Sequence, residues 1–415
     1  MRSIFKRNKN QQVVAVLDAE APPGLAFTRS LGRGGVPVRV YSPRRYPVAR
    51  LSRYCSDFGR SPDAEHAEEF LPWLQREVER GDISLVAPTS DLIAFYMGEF
   101  PECFPKGQAA GMPSRDAILD MLFKDRFDAA CKRHGIRAPW TAFPMSIDEA
   151  LADAGSLPYP VILKPKSHVG VGWARGVVVR NEVELRKAFR PYPVRPETKM
   201  LMDRFPELQW PMIQEYVPDA LKHLYSVSGL LDAKGNLVAY AGSRKTLQWP
   251  PTLGVGVVFE SWHEDGPVEL GLKFAKGVLG RGMFELELIY DGRTKDYVAI
   301  DLNPRAHGHI AFDIARNNDL PLLWYKMARG EPLPAVPATN DDVRWLHSIP
   351  YHVGHIIGLA RGPGRREKLT SYVGGLRGKT VDIINDLGDP LPSVAHAAYM
   401  FRHPGGLIKP FLDGK

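Results

Sequence analysis

A chain of 415 residues, 44% hydrophobic and 24% charged, has the composition of a soluble globular protein and is too long for one ordinary core, so two or three packed lobes are expected. The formal net charge of +7 is uneven. Residues 1–60 hold twelve Lys/Arg against three acids, a local +9, and the remainder sums to −2, which excludes a nucleic-acid stripe through the middle of the chain and leaves a basic N-terminal lobe able to attract anions.

The first elements form a strand–helix–strand unit. Val13-Val14-Ala15-Val16-Leu17 is a continuous apolar run of the kind buried in parallel sheets. A two-proline loop leads to a helix over Leu25–Leu31, ended near Gly32, and then to a strand over Val36–Tyr41. A second amphipathic helix spans Glu65–Arg80, and Ile83–Ala87 is a further strand. Pro88-Thr89-Ser90-Asp91 follows at its C-terminal end, where open parallel sheets bind ligands. Residues 12–112 are thus expected to be an open α/β domain. Arg44, Arg45, Thr89 and Asp91 are candidates there to meet a substrate.

Residues 114–135 read as helix, from the cap Ser114 to Gly135, and Ile147–Ala154 as a shorter one. Val161–Lys164 and Gly176–Arg180 are strands of a hairpin, joined by a glycine-containing turn. Met212–Val217, Leu224–Leu231 and Leu237–Ala241 are strands, the last two linked by the turn Asp232–Asn236. Glu269–Leu279 is a helix. Met283–Tyr290 and Tyr297–Leu302 form a hairpin, and a helix lies in Ala311–Arg329. Beyond residue 331 the Pro-rich sequence has no readable period.

Cys55, Cys103 and Cys131 are odd in number and have no metal spacing, so they fit a reducing cytosol as small buried groups. The basic N-terminus lacks the apolar core of a signal peptide, and no apolar run reaches the ~18 residues that span a bilayer. A cytoplasmic location is expected. His352 and His355 have H-x-x-H spacing without the glutamate of a metalloprotease helix.

Residues 283–305 carry the most chemistry. Asp301 and Asn303 alternate onto one face at the end of a strand, and Glu287 on the neighbouring strand reaches the same place. Two carboxylates and an amide oxygen are hard ligands suited to Mg²⁺, which keeps substrate phosphates in its shell. Arg305, two residues on, suits bidentate phosphate contact. Lys164-Pro165-Lys166-Ser167-His168-Val169-Gly170-Val171-Gly172 ends an apolar strand with a lysine and a glycine turn. It is not a P-loop, but it can bring backbone N–H groups and a point charge to phosphates. Ile213-Gln214-Glu215-Tyr216-Val217-Pro218-Asp219 is a strand that can offer backbone groups to a base.

Taken in order over about residues 12–330, these pieces resemble the ATP-grasp superfamily, nearest its carboxylate–amine ligases of D-aspartate-ligase-like type. The motifs are Lys124-Asp125-Arg126-Phe127 with Gly135-Ile136-Arg137-Ala138-Pro139, then Ile162-Leu163-Lys164-Pro165 and the glycine loop. Gln214–Val217 follows, and then Glu287 with Asp301-Leu302-Asn303-Pro304-Arg305. The resemblance implies an open parallel-sheet domain (12–112), two ATP-grasp lobes (113–222 and 223–335) and a C-terminal extension (336–415).

It implies ATP and two Mg²⁺ ions, with Mn²⁺ an acceptable substitute. Lys124 and Lys164 would touch the α/β-phosphates or the adenine rim, Gly170 and Gly172 would close on the triphosphate, and Gln214, Glu215, Tyr216 and Val217 would meet the base. Glu287, Asp301 and Asn303 would hold metal, and Arg305 the γ-phosphate. Arg244 or Lys245 would stabilise charge at the reacting phosphate, and His309 would line the acceptor pocket. Asp301 stands where glutamate is commoner. The usual ribose-binding acid is missing near Leu221, leaving Asp219 as a substitute. Asp386-Leu387-Gly388-Asp389-Pro390-Leu391-Pro392 is similar to a C-terminal element of these ligases with a structural role.

The implied reaction joins a small-molecule or peptide carboxylate to an amine through an acyl phosphate, releasing ADP and phosphate. The alternatives are a bicarbonate-using carboxylase and a non-catalytic nucleotide-binding scaffold. A homodimer is the default assembly. The basic, aromatic-containing tail, with nine Lys/Arg against five acids over residues 361–415, makes a peripheral membrane surface conceivable.

Overall fold

The computed structural model describes residues 12–155, 159–171, 176–218, 220, 223–249, 254–335, 338–360, 372 and 378–402. Gly172 and Asp219 lie outside the described residues. Three sheets organise the chain.

The first sheet has the order β3-β2-β1-β4, from Val13–Val16 (β1), Val38–Ser42 (β2), Asp57–Arg60 (β3) and Ile83–Val86 (β4), all parallel. Helices α1 (Pro22–Arg33), α2 (Ala67–Glu79) and α3 (Asp91–Glu99) accompany it. Helix α3 starts directly after β4, with Ser90 accepting from the backbone N–H of Ile93. That cap holds Thr89 and Asp91 at the carboxyl edge of the sheet.

The second sheet, β5-β8-β6-β7, is antiparallel and built from Thr141–Ala142 (β5), Val161–Pro165 (β6), Val177–Val179 (β7) and Pro211–Glu215 (β8). The glycine loop after β6 rests on the first domain, because Val169 shares its core with Leu201, Met202 and Phe95. Gly170 has φ of +84°, a backbone conformation that is strained for any residue with a Cβ.

The third sheet has seven strands in the order β13-β12-β9-β10-β11-β14-β15: Leu224–Leu231 (β9), Leu237–Trp249 (β10), Val255–Ser261 (β11), Gly282–Asp291 (β12), Asp296–Asn303 (β13), Val343–Leu346 (β14) and Lys379–Asp382 (β15). One face is apolar. Val227, Phe284, Leu286, Leu288, Ala299 and Leu302 pack there beneath helices Arg115–Leu122 (α4), Lys124–His134 (α5) and Asp265–Val278 (α9). Each of the larger ones, Ala299 excepted, contributes roughly 1.5–3 kcal/mol of transfer free energy. A bulge on β13 makes the two-faced pattern possible. Glu287 pairs with Asp301, but Leu288 pairs with Ala299, so Ile300 is extra and Ala299 turns to the apolar side while Asp301 turns to the polar one.

Three readings from sequence need correction. The helix expected over 114–135 is two helices, because Phe123 is extended (φ −108°, ψ 121°) and buried. The helix expected over 311–329 is also two, Ile310–Ala315 (α10) and Leu320–Ala328 (α11). Asn317 adopts a left-handed φ of 73° between them, and Asp319 caps the second. The described residues after 331 include β14, β15 and helices Ser348–Ala360 (α12) and Leu391–Arg402 (α13). The remaining helices are Ile147–Ala154 (α6), Glu182–Ala188 (α7) and Lys199–Arg204 (α8).

The 386–392 segment anchors the C-terminal part to the first domain. Asp389, 1% exposed, accepts from Arg29 Nε at 2.9 Å, Ser52 Oγ at 2.6 Å and the Arg53 backbone N–H at 2.8 Å. Burial pushes its carboxyl up, but Ser52 and Arg29 outweigh that and hold it below the ordinary value. Asp389→Ala should therefore cost about 3–5 kcal/mol, because it strands the buried Arg29 charge. Asp386→Ala, which breaks a half-exposed pair with Arg33, should cost about 1 kcal/mol or less. Urea titrations of both variants check this. A carboxyl depressed in the folded state loses its contribution as pH falls, so the gap should narrow below about pH 4.

Candidate active site

The polar face of the third sheet is built by register. Cross-strand pairs Glu287–Asp301 and Glu285–Asn303 stand beside Ser226 and Ser228 of β9. Ser243 pairs with Ser226, and Lys245 lies two residues further along β10 on the same side. This brings Glu287, Asp301, Asn303 and Lys245 onto one face.

Lysines from other elements complete the group. Lys124 is the first residue of α5. Its backbone N–H donates to the carbonyl of Lys166 at 2.8 Å, and its ammonium pairs with Asp301. Burial pushes Asp301 up, but Lys124 overcomes this and keeps the carboxyl below the usual range. Lys164, on β6, donates to Gln214 Oε1 at 2.9 Å, and Gln214 in turn donates to Thr141 Oγ1 at 3.2 Å. Burial and the neighbouring Lys124 push the Lys164 ammonium down to about 8, against the pull of Asp301 and Glu287.

Arg305 leaves the end of β13 and meets the first domain. Its Nε and Nη2 donate to the two oxygens of Asp91 at 2.5 and 3.0 Å, and Nη2 also donates to Asn303 Oδ1 at 2.9 Å. Burial disfavours the charge, but Asp91 more than offsets it and the guanidinium stays protonated. The Ala306 N–H donates to the carbonyl of Pro88 at 2.9 Å, fixing the segment against the carboxyl edge of the first sheet.

Several expected residues sit elsewhere. Arg244 pairs with Tyr225 across β9 and lies over the Trp262 ring, on the face away from the carboxylates. Lys245 alone of the two faces them. Thr89 is 2% exposed and gives its hydroxyl to Asp18 at 2.8 Å, so it braces the edge from within. Asp91 is engaged by Arg305. His309 is 4% exposed and stacked on Phe259 with centroids 4.0 Å apart, beneath the site; burial holds it neutral. Glu215 pairs with Arg293 at 2.7 Å, and its N–H already bonds the Trp140 carbonyl. Tyr216 and Val217 follow it out of β8, and Val217 packs with Leu224, Ile289 and Val298.

Sequence reasoning missed Glu285 and Asp313. Glu285 lies two residues before Glu287, so strand alternation alone placed both on one face. Asp313, fully buried, is held by His307 at 3.0 Å, Ser228 at 2.7 Å and Arg316 at 2.5 Å. Only the tertiary fold assembles that set.

Two clefts are lined by other residues named above. One of about 260 Å³ lies between the first-domain edge and the glycine loop, lined by Asp18, Asp63, Ser90, Asp91, His168 and Gly170 among others. The other, about 270 Å³, is lined by Arg137, Pro139, Glu215, Val217, Arg293 and Val298 among others.

No family model matches the sequence. Among solved structures, a biotin carboxylase–ATP-analogue complex from Campylobacter jejuni superposes with a TM-score of 0.61 at 18% identity, covering 81% of this chain and 75% of that one. The ADP complex of an N5-carboxyaminoimidazole ribonucleotide synthetase gives 0.61 at 11% identity, covering 87% of each chain. The chain has the ATP-grasp fold. By sequence, it is 25% identical over 215 residues to the C-terminal section of a carbamoyl phosphate synthase large chain from Methanopyrus kandleri. That match covers 51% of this chain and 38% of the relative. It is 27% identical over 243 residues to the large chain from Gemmatimonas aurantiaca, covering 57% of this chain and 21% of the relative. The chain thus spans well under half of these curated relatives. The ATP-grasp likeness carries no choice of the D-aspartate-ligase-like group.

The donor set suits Mg²⁺. Glu287, Asp301 and Asn303 offer hard oxygens on one face. Among the described residues no group of three or more His, Cys, Asp or Glu gathers to hold a metal by itself, so phosphate oxygens and water would complete the shell.

The lowered Lys164 pKa yields a binding prediction. Near pH 8 about half of the free protein holds Lys164 neutral, and a polyphosphate favours the charged form. Binding of the ATP analogue AMP-PNP should therefore take up protons at pH 8 and weaken as pH rises further. Calorimetry in buffers of different ionisation enthalpy measures the uptake, and Lys164→Met should remove it.

Proposed function

We propose that the protein is an ATP-dependent carboxylate–amine ligase that works through an acyl phosphate. The supporting observation is the convergence of Lys124, Lys164, Lys245 and Arg305 on the carboxylate–amide face formed by Glu287, Asp301 and Asn303, within the ATP-grasp fold.

A carboxylate is a poor electrophile. In the first step its oxygen attacks the γ-phosphorus of ATP and ADP leaves. In the second an amine attacks the acyl carbon, phosphate leaves and the amine gives up a proton. Negative charge gathers on the transferring phosphoryl oxygens, so fixed cations lower the barrier without reorganising. Glu287, Asp301 and Asn303 would hold Mg²⁺, which would supply Lewis-acid charge neutralisation at the phosphates. Lys124 and Lys164 hold the phosphate chain, Lys245 stands on the same face, and Arg305 holds the γ-phosphate beside the first domain. Gly170 and its neighbours cover the phosphates and exclude water from the acyl phosphate. The base rests by Val217 at the end of β8.

The acid and amine enter at the cleft bordered by Asp18, Asp91 and His168. Its acid-rich lining suits an acceptor bearing a positive charge, and Arg305 offers a partner for a carboxylate. A bicarbonate-using reaction is the second reading. It is favoured by the names of the similar proteins, a biotin carboxylase and carbamoyl phosphate synthases. Among the described residues no helix is long and apolar enough to cross a membrane.

ADP and phosphate release should appear with one member of an acid panel, bicarbonate included, and hydroxylamine should trap it as a hydroxamate. Production of AMP and pyrophosphate would contradict the mechanism. Asp301→Asn and Glu287→Gln should each lower kcat by about 10²–10³-fold.

A further inference from the structure

One continuous hydrogen-bonded chain crosses the site: Asp91, Arg305, Asn303, Glu285, Ser226. Asn303 Nδ2 donates to Glu285 Oε2 at 2.9 Å, and Ser226 Oγ donates to Glu285 Oε1 at 2.8 Å. Glu285 is 3% exposed and Asn303 7%, and the two are direct cross-strand partners. The mechanism above gives Glu285 no task.

The polarity of this chain is forced. Both oxygens of Glu285 accept, from Asn303 and from Ser226, and a guanidinium only donates. The amide of Asn303 lies between one of each. Its NH₂ must therefore face Glu285, and its oxygen must face Arg305. Without Glu285 the buried NH₂ would lose its acceptor, and the amide could turn its oxygen away from the phosphate-binding face. The cost of a buried unsatisfied donor, about 1–3 kcal/mol, is enough to reset such an orientation.

We propose that Glu285 is a positioning residue that fixes the amide of Asn303 with its oxygen toward the metal. The inference rests on the nucleotide reading of the site. It assigns a role to the hydrogen-bond acceptor at position 285 and not to its charge alone.

The test compares two near-isosteric variants, Glu285→Gln and Glu285→Met, in calorimetric binding of AMP-PNP with Mg²⁺ and with EDTA. Glutamine keeps an acceptor for Asn303, and methionine does not. The expected result is that Glu285→Met loses about tenfold or more of the Mg²⁺-dependent gain in affinity, the size usual for a group that orients a metal ligand. Its EDTA-state affinity should stay within about twofold of wild type, and Glu285→Gln should keep most of the gain. Equal Mg²⁺ dependence in all three proteins, equal loss in both variants, or weakening that persists in EDTA would overturn the proposal. Should Glu285→Met fail to fold, Ser226→Ala replaces it, with an expected smaller Mg²⁺-specific loss and an unchanged Mg²⁺ dependence as the contradicting result. Absence of Mg²⁺-dependent AMP-PNP binding by wild type would overturn the nucleotide reading itself, before any variant is compared.

Discussion

The arrangement depends on how Lys124 joins two sheets. Its N–H completes a bond to the Lys166 carbonyl just beyond β6, while its ammonium pairs with Asp301 on β13. Both contacts need α5 to begin at residue 124, which is why the chain straightens at Phe123 and restarts its helix there. The break fixes the facing of the second and third sheets and places a cation against the half-buried carboxylate of Asp301. Everything assigned to phosphate and metal lies around this junction.

The same logic of mutual compensation runs through the site. Arg305 is offset by Asp91, Lys164 by the amide oxygen of Gln214 and the nearby Asp301 and Glu287, and Asp313 by His307 and Arg316. These groups are held in place before any ligand arrives, which is what transition-state stabilisation by fixed charges requires. Asp91 gives the arrangement a second property. It belongs to the first domain, so the arginine proposed to hold phosphate is already tied to the edge where a substrate would enter. A carboxylate substrate arriving there would meet a guanidinium already engaged by a carboxylate, a match of geometry that suits exchange of one for the other.

Much of this was legible in the sequence where periodicity was strong. The hairpin of β12 and β13 follows from apolar–polar alternation, and its carboxylates fall on one face by the same rule. The bulge at Ile300 was not legible, yet it reconciles Ala299 with Leu302 on the apolar side and Asp301 with Asn303 on the other. Choosing between Arg244 and Lys245 also needed the register of β10, since adjacent residues point to opposite faces. Glu285 was within reach of strand alternation and was passed over because Glu287 matched the motif. The pairing of Asp91 with Arg305, 214 residues apart, and the burial of Thr89 and His309 are tertiary facts that no local pattern carries. The ordered elements after 331 escaped because short strands and Pro-flanked helices give a weak period.

If the polar face of the third sheet binds a metal–nucleotide complex as proposed, it should take up Mn²⁺ together with nucleotide. Counting Mn²⁺ bound per chain by electron paramagnetic resonance, with AMP-PNP present, tests it most directly. Two ions in wild type, reduced in Asp301→Asn while the nucleotide is still held, is the result expected. Nucleotide-independent Mn²⁺ binding, or full Mn²⁺ occupancy in Asp301→Asn, would contradict the account.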